Sequence, residues 1–110
     1  RQTEPDWSHL LETFVFLELR KRNYSIEYYK TRKGYEIDFV TNPPYARAKE
    51  LIQVTVSIKD EQTKKREIRA LTDGMAEQQL AESLLLTADE HGEVETESGR
   101  ITIMPAWIWA

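Results

Sequence analysis

Apolar and polar residues alternate along two segments of the chain, Tyr35–Val40 and Leu51–Ile58. Successive side chains of a strand point to opposite faces, so each segment is predicted to be a strand with one apolar and one polar face. A preceding segment, Ser25–Thr31, is rich in isoleucine and tyrosine and is separated from the first by the short turn 32–34. Such a short turn favours an antiparallel hairpin.

Apolar residues at helical spacing predict two helices. The first covers residues 6–23, and Glu12, Phe16 and Leu19 lie on a second side of it. The stripe that we expect to face the core consists of Trp7, Leu10, Leu11, Phe14, Val15 and Leu17. The second helix runs from Asp60 to about Asp73, where Gly74 is expected to end or weaken it before a further turn.

The last third of the chain is predicted to be mainly strand. The apolar run Leu84–Leu86 is typical of a strand buried on both faces. Glu93–Glu97 and Arg100–Met104 are predicted to form a hairpin across a Ser-Gly turn. Trp107 and Trp109 then alternate with smaller residues, as in a strand or an extended tail.

The element order is therefore α-β-β-β-α-β plus a C-terminal hairpin, an α/β fold. A helix between the third and fourth strands implies a parallel step with a right-handed crossover, so the sheet is predicted to be mixed. The length of 110 residues suits one domain, predicted over residues 1–110.

Composition excludes some classes of site. The chain has no cysteine, which excludes disulfides and thiolate-bound zinc and suits the cytoplasm, our predicted location. No apolar run approaches the roughly 20 residues that span a bilayer, so no membrane partner is expected. Residues 1–69 carry a net charge of +3 and residues 70–110 a net charge of −7. We interpret so weak a basic half as an ordinary solvated surface.

Alternation also indicates which strand residues point together. Tyr35, Ile37 and Phe39 are predicted to share one face, and Glu36, Asp38 and Val40 the other. On the next strand Gln53 and Thr55 share the polar face. If the two strands are neighbours, two carboxylates and the Gln53 amide converge, and their oxygens suit Mg²⁺. The alternative, which we favour from the pattern alone, is the wet face of an antiparallel sheet.

One residue and three motifs of the sequence resemble those of one family. They are Glu12 in the first helix and the three motifs Gly34-Tyr35-Glu36-Ile37-Asp38-Phe39-Val40, Leu51-Ile52-Gln53-Val54-Thr55-Val56 and Thr63-Lys64-Lys65-Arg66-Glu67-Ile68-Arg69-Ala70-Leu71. The chain resembles the C-terminal domain of unknown function that follows the ATPase module of predicted prokaryotic AAA-type ATPases. The resemblance covers nearly the whole chain and implies that an ATPase module, absent here, is a partner.

That family is similar to the PD-(D/E)XK fold of restriction endonucleases, which implies a restriction-endonuclease-like core. In those nucleases an Asp and a Glu bind the metal and a Lys assists the attacking water. Asp38 matches the Asp and Glu12 the helix carboxylate, while Gln53 stands in place of the Glu and Thr55 in place of the Lys. Asp38 and Gln53 would be the metal ligands. Two departures out of four positions predict a degenerate, inactive site.

A basic helix face is the remaining candidate. Lys64, Lys65, Arg66 and Arg69 could contact nucleic-acid phosphates, but we favour a solvated surface with ion pairs to Glu61 or Glu67. The leading hypothesis is a non-catalytic accessory domain that binds nucleic acid or a protein, with no cofactor of its own. The alternatives are a nuclease that uses Mg²⁺ and a module for protein interaction or oligomerisation.

Overall fold

A computed structural model describes residues 6–110, and residues 1–5 of the predicted domain lie outside it. Three layers form: α1 and α3 on one face of a six-stranded sheet, α2 on the other. The elements are α1 Trp7–Lys21, β1 Ser25–Lys30, β2 Glu36–Asn42, β3 Glu50–Val54, α2 Glu61–Gln78, β4 Glu82–Thr87, β5 Gly92–Glu95, β6 Arg100–Pro105 and α3 Ala106–Trp109. No helix among residues 6–110 is long and apolar enough to cross a membrane.

The sheet confirms the predicted α/β class and the mixed pairing. Its strand order is β1-β2-β3-β4-β6-β5. The first three strands form an antiparallel meander, β3 pairs with β4 and β4 with β6 in parallel, and β5 closes the sheet as an antiparallel edge. The predicted C-terminal hairpin is thus β5–β6. Leu85 and Leu86 of β4 are fully buried in the centre of the sheet, one below each helical layer.

The prediction for the core face of α1 is wrong for four of its six residues; Val15 is buried and Leu11 packs against the core. Val15 and Leu19 are the buried residues of this helix, and they pack on Phe39, Ile52 and Leu86. Most of the predicted core stripe is exposed instead: Trp7, Leu10, Phe14 and Leu17. Both sides of α1 are apolar, so helical periodicity alone does not decide which side meets the sheet.

Two predicted boundaries also change. Strand β3 ends at Val54, four residues before Ile58, and just beyond it the Thr55 hydroxyl donates to the Ser57 carbonyl (3.3 Å). Helix α2 continues through Gly74, which is buried. A Cβ at this position would lie 3.1 Å from Leu51 Cδ1, so the glycine lets α2 approach the sheet closely.

The tail that carries Trp107 and Trp109 is a short helix rather than a strand. Ala106 is buried against the α1 layer, and the Ala110 amide donates to the Ala106 carbonyl at 2.9 Å. Arg22, which caps the end of α1, donates through Nη2 to the Trp109 carbonyl at 2.7 Å. Its guanidinium carbon also lies 4.4 Å from the centre of the Trp109 ring. Arg22 therefore fastens α3 to α1.

Replacing Arg22 by methionine should lower the free energy of unfolding by about 1–2 kcal/mol, because a charge-assisted hydrogen bond and a cation–π contact are both lost. Urea unfolding followed by tryptophan fluorescence measures the change. Arg22→Lys is the matched control: it keeps the charge but not the planar, stacked group, and should recover part of the loss. A methionine variant as stable as the parent would contradict the role of Arg22.

Candidate functional site

Strand β2 contains a β-bulge at Asp38 and Phe39. Glu27 and Tyr29 of β1 face Val40 and Ile37, so one β1 residue lies opposite two residues of β2. The extra residue reverses the alternation: Ile37 packs in the α2 layer, Phe39 in the α1 layer and Val40 again in the α2 layer. The predicted faces of Phe39 and Val40 are therefore wrong. Bulges re-aim side chains and concentrate near functional sites.

Side chains replace the strand ladder beside this bulge. The paired register of β2 and β3 stops at Phe39 and Ile52. Beyond it, the Asp38 amide donates to Gln53 Oε1 at 2.6 Å, and Gln53 Nε2 donates to the Glu36 carbonyl at 3.0 Å. In return, the Val54 amide donates to Asp38 Oδ2 at 2.8 Å. The two side chains thus form a reciprocal clasp between β2 and β3.

A polar cavity of about 330 Å³ opens at this end of the sheet. Its lining residues come from the helices α1 and α2, from the strands β2 and β3, from the turn before β2 and from the residue after β3. They are Ser8, Glu12, Gly34, Tyr35, Glu36, Asp38, Gln53, Val54, Thr55, Arg66, Glu67 and Ala70. All four predicted strand residues therefore converge, and Glu12 joins them from α1. Within the described residues that line the cavity, Arg66 is the only basic side chain.

Glu67 of α2 is the site residue that sequence reasoning missed. It is 9% exposed, accepts from Gln53 Nε2 at 2.8 Å, and lies 3.6 Å from the Arg66 guanidinium. It precedes the buried Ala70 and Leu71 by one turn, which places it on the core side of α2. That helical spacing could have predicted from the sequence that Glu67 faces the core. Instead, Glu67 was interpreted from the sequence as a surface ion-pair partner and was not included in the site.

The cavity disfavours negative charge at Asp38. Burial raises the pKa of Asp38 to about 6, the fields of Glu12, Glu67 and Glu36 push it the same way, and the Val54 hydrogen bond opposes them. Burial also raises the pKa of Glu67, with Arg66 and Gln53 opposing. Two carboxyls with raised pKa values in one cleft are typical of functional sites.

The residues present do not fit a preassembled magnesium site. No group of three carboxylate, histidine or cysteine side chains within residues 6–110 is arranged to hold a metal ion. Gln53 Oε1 accepts from the Asp38 amide and Asp38 Oδ2 accepts from the Val54 amide, so each of the two predicted metal ligands already uses one oxygen to hold the strands together. Thr55 uses its hydroxyl in the turn to Ser57.

The basic residues of α2 are divided in the structure. Arg66 lines the cavity and pairs with Glu67, as the ion-pair interpretation predicts. Lys65 and Arg69 are exposed and Lys64 is half-buried, outside the cavity. Within residues 6–110, Arg66 is the only one of the four that forms an ion pair.

Fold and site together define a mixed α/β domain with a carboxylate-lined cavity at one end of its sheet. Residues 7–109 match the family model described as Domain of unknown function (DUF4143), and the chain belongs to this family. It is also similar to a protein described as uncharacterized protein MJ1544 from Methanocaldococcus jannaschii, with 34% identity over 110 residues. That match covers 92% of this chain and 24% of the relative, so the chain spans about a quarter of the relative's length. No solved structure matches the chain.

Proposed function

We propose that this chain is a non-catalytic accessory domain that works by binding a protein partner. The observation that carries the proposal is the hydrogen bonding of Gln53. Its carbonyl accepts from the Asp38 amide, and its amide group donates to the Glu36 carbonyl and to Glu67. A carboxylate at this position could not donate either bond. Gln53 is thus chemically suited to hold the sheet together, where a nuclease would use a charged metal ligand.

The proposal extends to the setting of the domain. We place it next to an ATPase module in a longer protein and assign its core to the restriction-endonuclease-like folds. The resemblance described above supports both assignments, and the element order with three strands before α2 supports the assignment of the fold. The much greater length of the M. jannaschii relative is consistent with a further module. In this setting the ATPase module is the first partner to consider.

A protein partner is favoured over nucleic acid by the surface. Large apolar side chains of α1 and α3 are exposed, including Leu17 at 59% and Trp107 at 67%. Contiguous exposed apolar surface is typical of protein interfaces. The candidate phosphate contacts are fewer, since Arg66 pairs with Glu67 and the chain carries a net charge of −4. Nucleic-acid binding would depend on the remaining cations of α2.

A cleavage assay tests the non-catalytic role. Incubated with single- and double-stranded DNA and with RNA, in Mg²⁺ or Mn²⁺, the chain should leave all substrates intact. An Asp38→Ala preparation made in parallel identifies any contaminating nuclease, because contamination would cleave in both samples. Cleavage by the parent that disappears in the variant would overturn the proposal.

That outcome would establish the second candidate, a metal-dependent nuclease with Mg²⁺ as cofactor. One observation favours it: Glu12, Asp38 and Glu67 surround a single cavity in which Asp38 resists ionisation. A bound cation would relieve this repulsion. Isothermal titration calorimetry with Mg²⁺ or Mn²⁺ alone, on the parent and on Asp38→Asn, measures cation binding separately from cleavage. A parent-specific heat would support the nuclease, and no heat would support the accessory role.

A further inference from the structure

The outward side of α1 carries an apolar stripe that residues 6–110 leave uncovered. The exposed fractions are 61% for Trp7, 50% for Leu10, 41% for Phe14 and 59% for Leu17. Their spacing of three, four and three residues is the spacing of the a and d positions along which two helices pack. Val15 and Leu19, on the opposite side, already anchor α1 to the sheet. The stripe therefore has the form of a second helix-packing surface.

The two halves of this stripe differ in shape. A shallow cleft of about 270 Å³ lies beside its first half, where Trp7, Leu10, Leu11 and Phe14 face Val56 and Ala88. The cleft is almost wholly apolar. Leu17 lies outside the cleft, one turn beyond Phe14, and projects into solvent. One half of the stripe thus offers a recess, and the other half offers a side chain that could fill one.

Charge is also arranged end to end along α1. Asp6 caps its start, and Arg20 and Lys21 occupy its last turn. Glu18 pairs there with Lys21 at 3.9 Å and with Arg22 at 2.9 Å, while Arg20 is exposed. In an antiparallel helix pair, the acidic start of one helix lies beside the basic end of the other, and the helix dipoles oppose favourably. A parallel pair would bring the two basic ends together.

We propose that two copies of this chain pair through α1 as an antiparallel dimer. Its two-fold axis crosses the stripe between Leu10 and Phe14. Leu17 of each copy then lies over the cleft beside Trp7 of the other copy, and Asp6 of each lies near Arg20 of the other. Such an interface is self-complementary, as two-fold symmetry requires. The inference rests on the proposed function only in that it names a second copy of this chain as a protein partner.

Sedimentation velocity over a concentration series tests the pairing. The parent chain should show a reversible monomer–dimer equilibrium. Leu17→Glu should raise the dimer dissociation constant at least about tenfold, since two charges would be buried in each dimer. Phe16→Glu is the matched control: it adds the same charge to the same helix, about 100° away from Leu17, and should leave dimerisation unchanged.

The unfolding midpoint of each variant verifies that the monomer is folded, which is expected because both positions are exposed. A parent chain that stays monomeric up to its solubility limit would overturn the dimer. So would equal effects of the two glutamate substitutions in folded variants. Neither result bears on the cleavage assay, so failure of the dimer and failure of the non-catalytic role are distinguishable.

Disulfide trapping tests the antiparallel arrangement, and the chain has no cysteine to interfere. Trp7→Cys and Leu17→Cys preparations, mixed and mildly oxidised, should give a disulfide between the two variants. Each alone should give little, because an antiparallel pair separates the two copies of either position by about 15 Å along the axis at 1.5 Å per residue. Cross-linking of each variant with itself, and not in the mixture, would overturn this arrangement.

Discussion

Replacing Asp38 by asparagine should stabilise the folded chain at pH 8 by up to about 3 kcal/mol. The pKa of Asp38 is about 6 in the fold against an ordinary value of 3.8, and each unit corresponds to about 1.4 kcal/mol. A carboxyl with a raised pKa in the folded state binds its proton more tightly there. The contribution of Asp38 to stability is therefore fully present below about pH 4, is lost as the pH rises from about 4 to about 6, and stays constant above that.

Asparagine avoids this loss because it is never charged. Its carbonyl can still accept from the Val54 amide, and its NH₂ group can donate to the carboxylates around the cavity. Urea unfolding at several pH values should give a flatter dependence for Asp38→Asn than for the parent. Glu36→Gln removes one negative charge from the exposed part of the same strand; because Glu36 is the weakest of the named causes of the raised pKa of Asp38, this change should alter stability much less. A parent chain that is more stable than Asp38→Asn at pH 8 would contradict the assignment.

Replacing Gln53 by glutamate should have the opposite sign and destabilise the chain by about 3–5 kcal/mol at pH 8. The side chain is 4% exposed, and the change removes two donated hydrogen bonds while placing a carboxylate beside Glu67. Unpaired buried charge carries costs of this size. A cost of this size is a large part of the 5–15 kcal/mol typical of a whole domain.

Gln53→Met is the control without charge: it removes the same two donated hydrogen bonds and, in addition, the bond that Oε1 accepts from the Asp38 amide. It should cost about 1–3 kcal/mol, and the further loss of stability in Gln53→Glu is a lower limit on the cost of the buried charge. Lowering the pH to 5 should reduce the penalty of the glutamate, since protonation removes the charge. Full parental stability of Gln53→Glu at pH 8 without divalent cations would show that the clasp does not depend on the amide.

The sequence predicted the element order and the polar convergence because both depend on local patterns. Alternation alone placed Glu36, Asp38, Gln53 and Thr55 around one cleft, and the structure brings them together. It could not predict the bulge at Asp38, because a bulge is a property of register against β1 and not of β2 itself. The faces of Phe39 and Val40 were wrong for that reason.

Long-range choices account for the other errors. Helix α1 has apolar side chains on both sides, and which side is buried depends on the sheet it meets. Glu67 lies among basic residues in the sequence, which favoured its interpretation as a surface residue. The packing of α2 on the sheet brings it to Gln53. The short helix α3, Ala106–Trp109, is contacted by Arg22, which is 87 residues away from Trp109 in the chain. Local patterns do not encode such contacts.

The central position of β4 has a consequence for the folding pathway. The β1–β2–β3 meander and the β5–β6 hairpin can each form from contacts near in sequence, in the microseconds typical of hairpins. Strand β4 lies between them, and its parallel pairs with β3 and β6 join strands that are not linked by tight turns. Closing those longer loops costs chain entropy before any contact forms. Docking of β4 is thus the step expected to limit the folding rate, with α2 as the segment that must fold back across the sheet first.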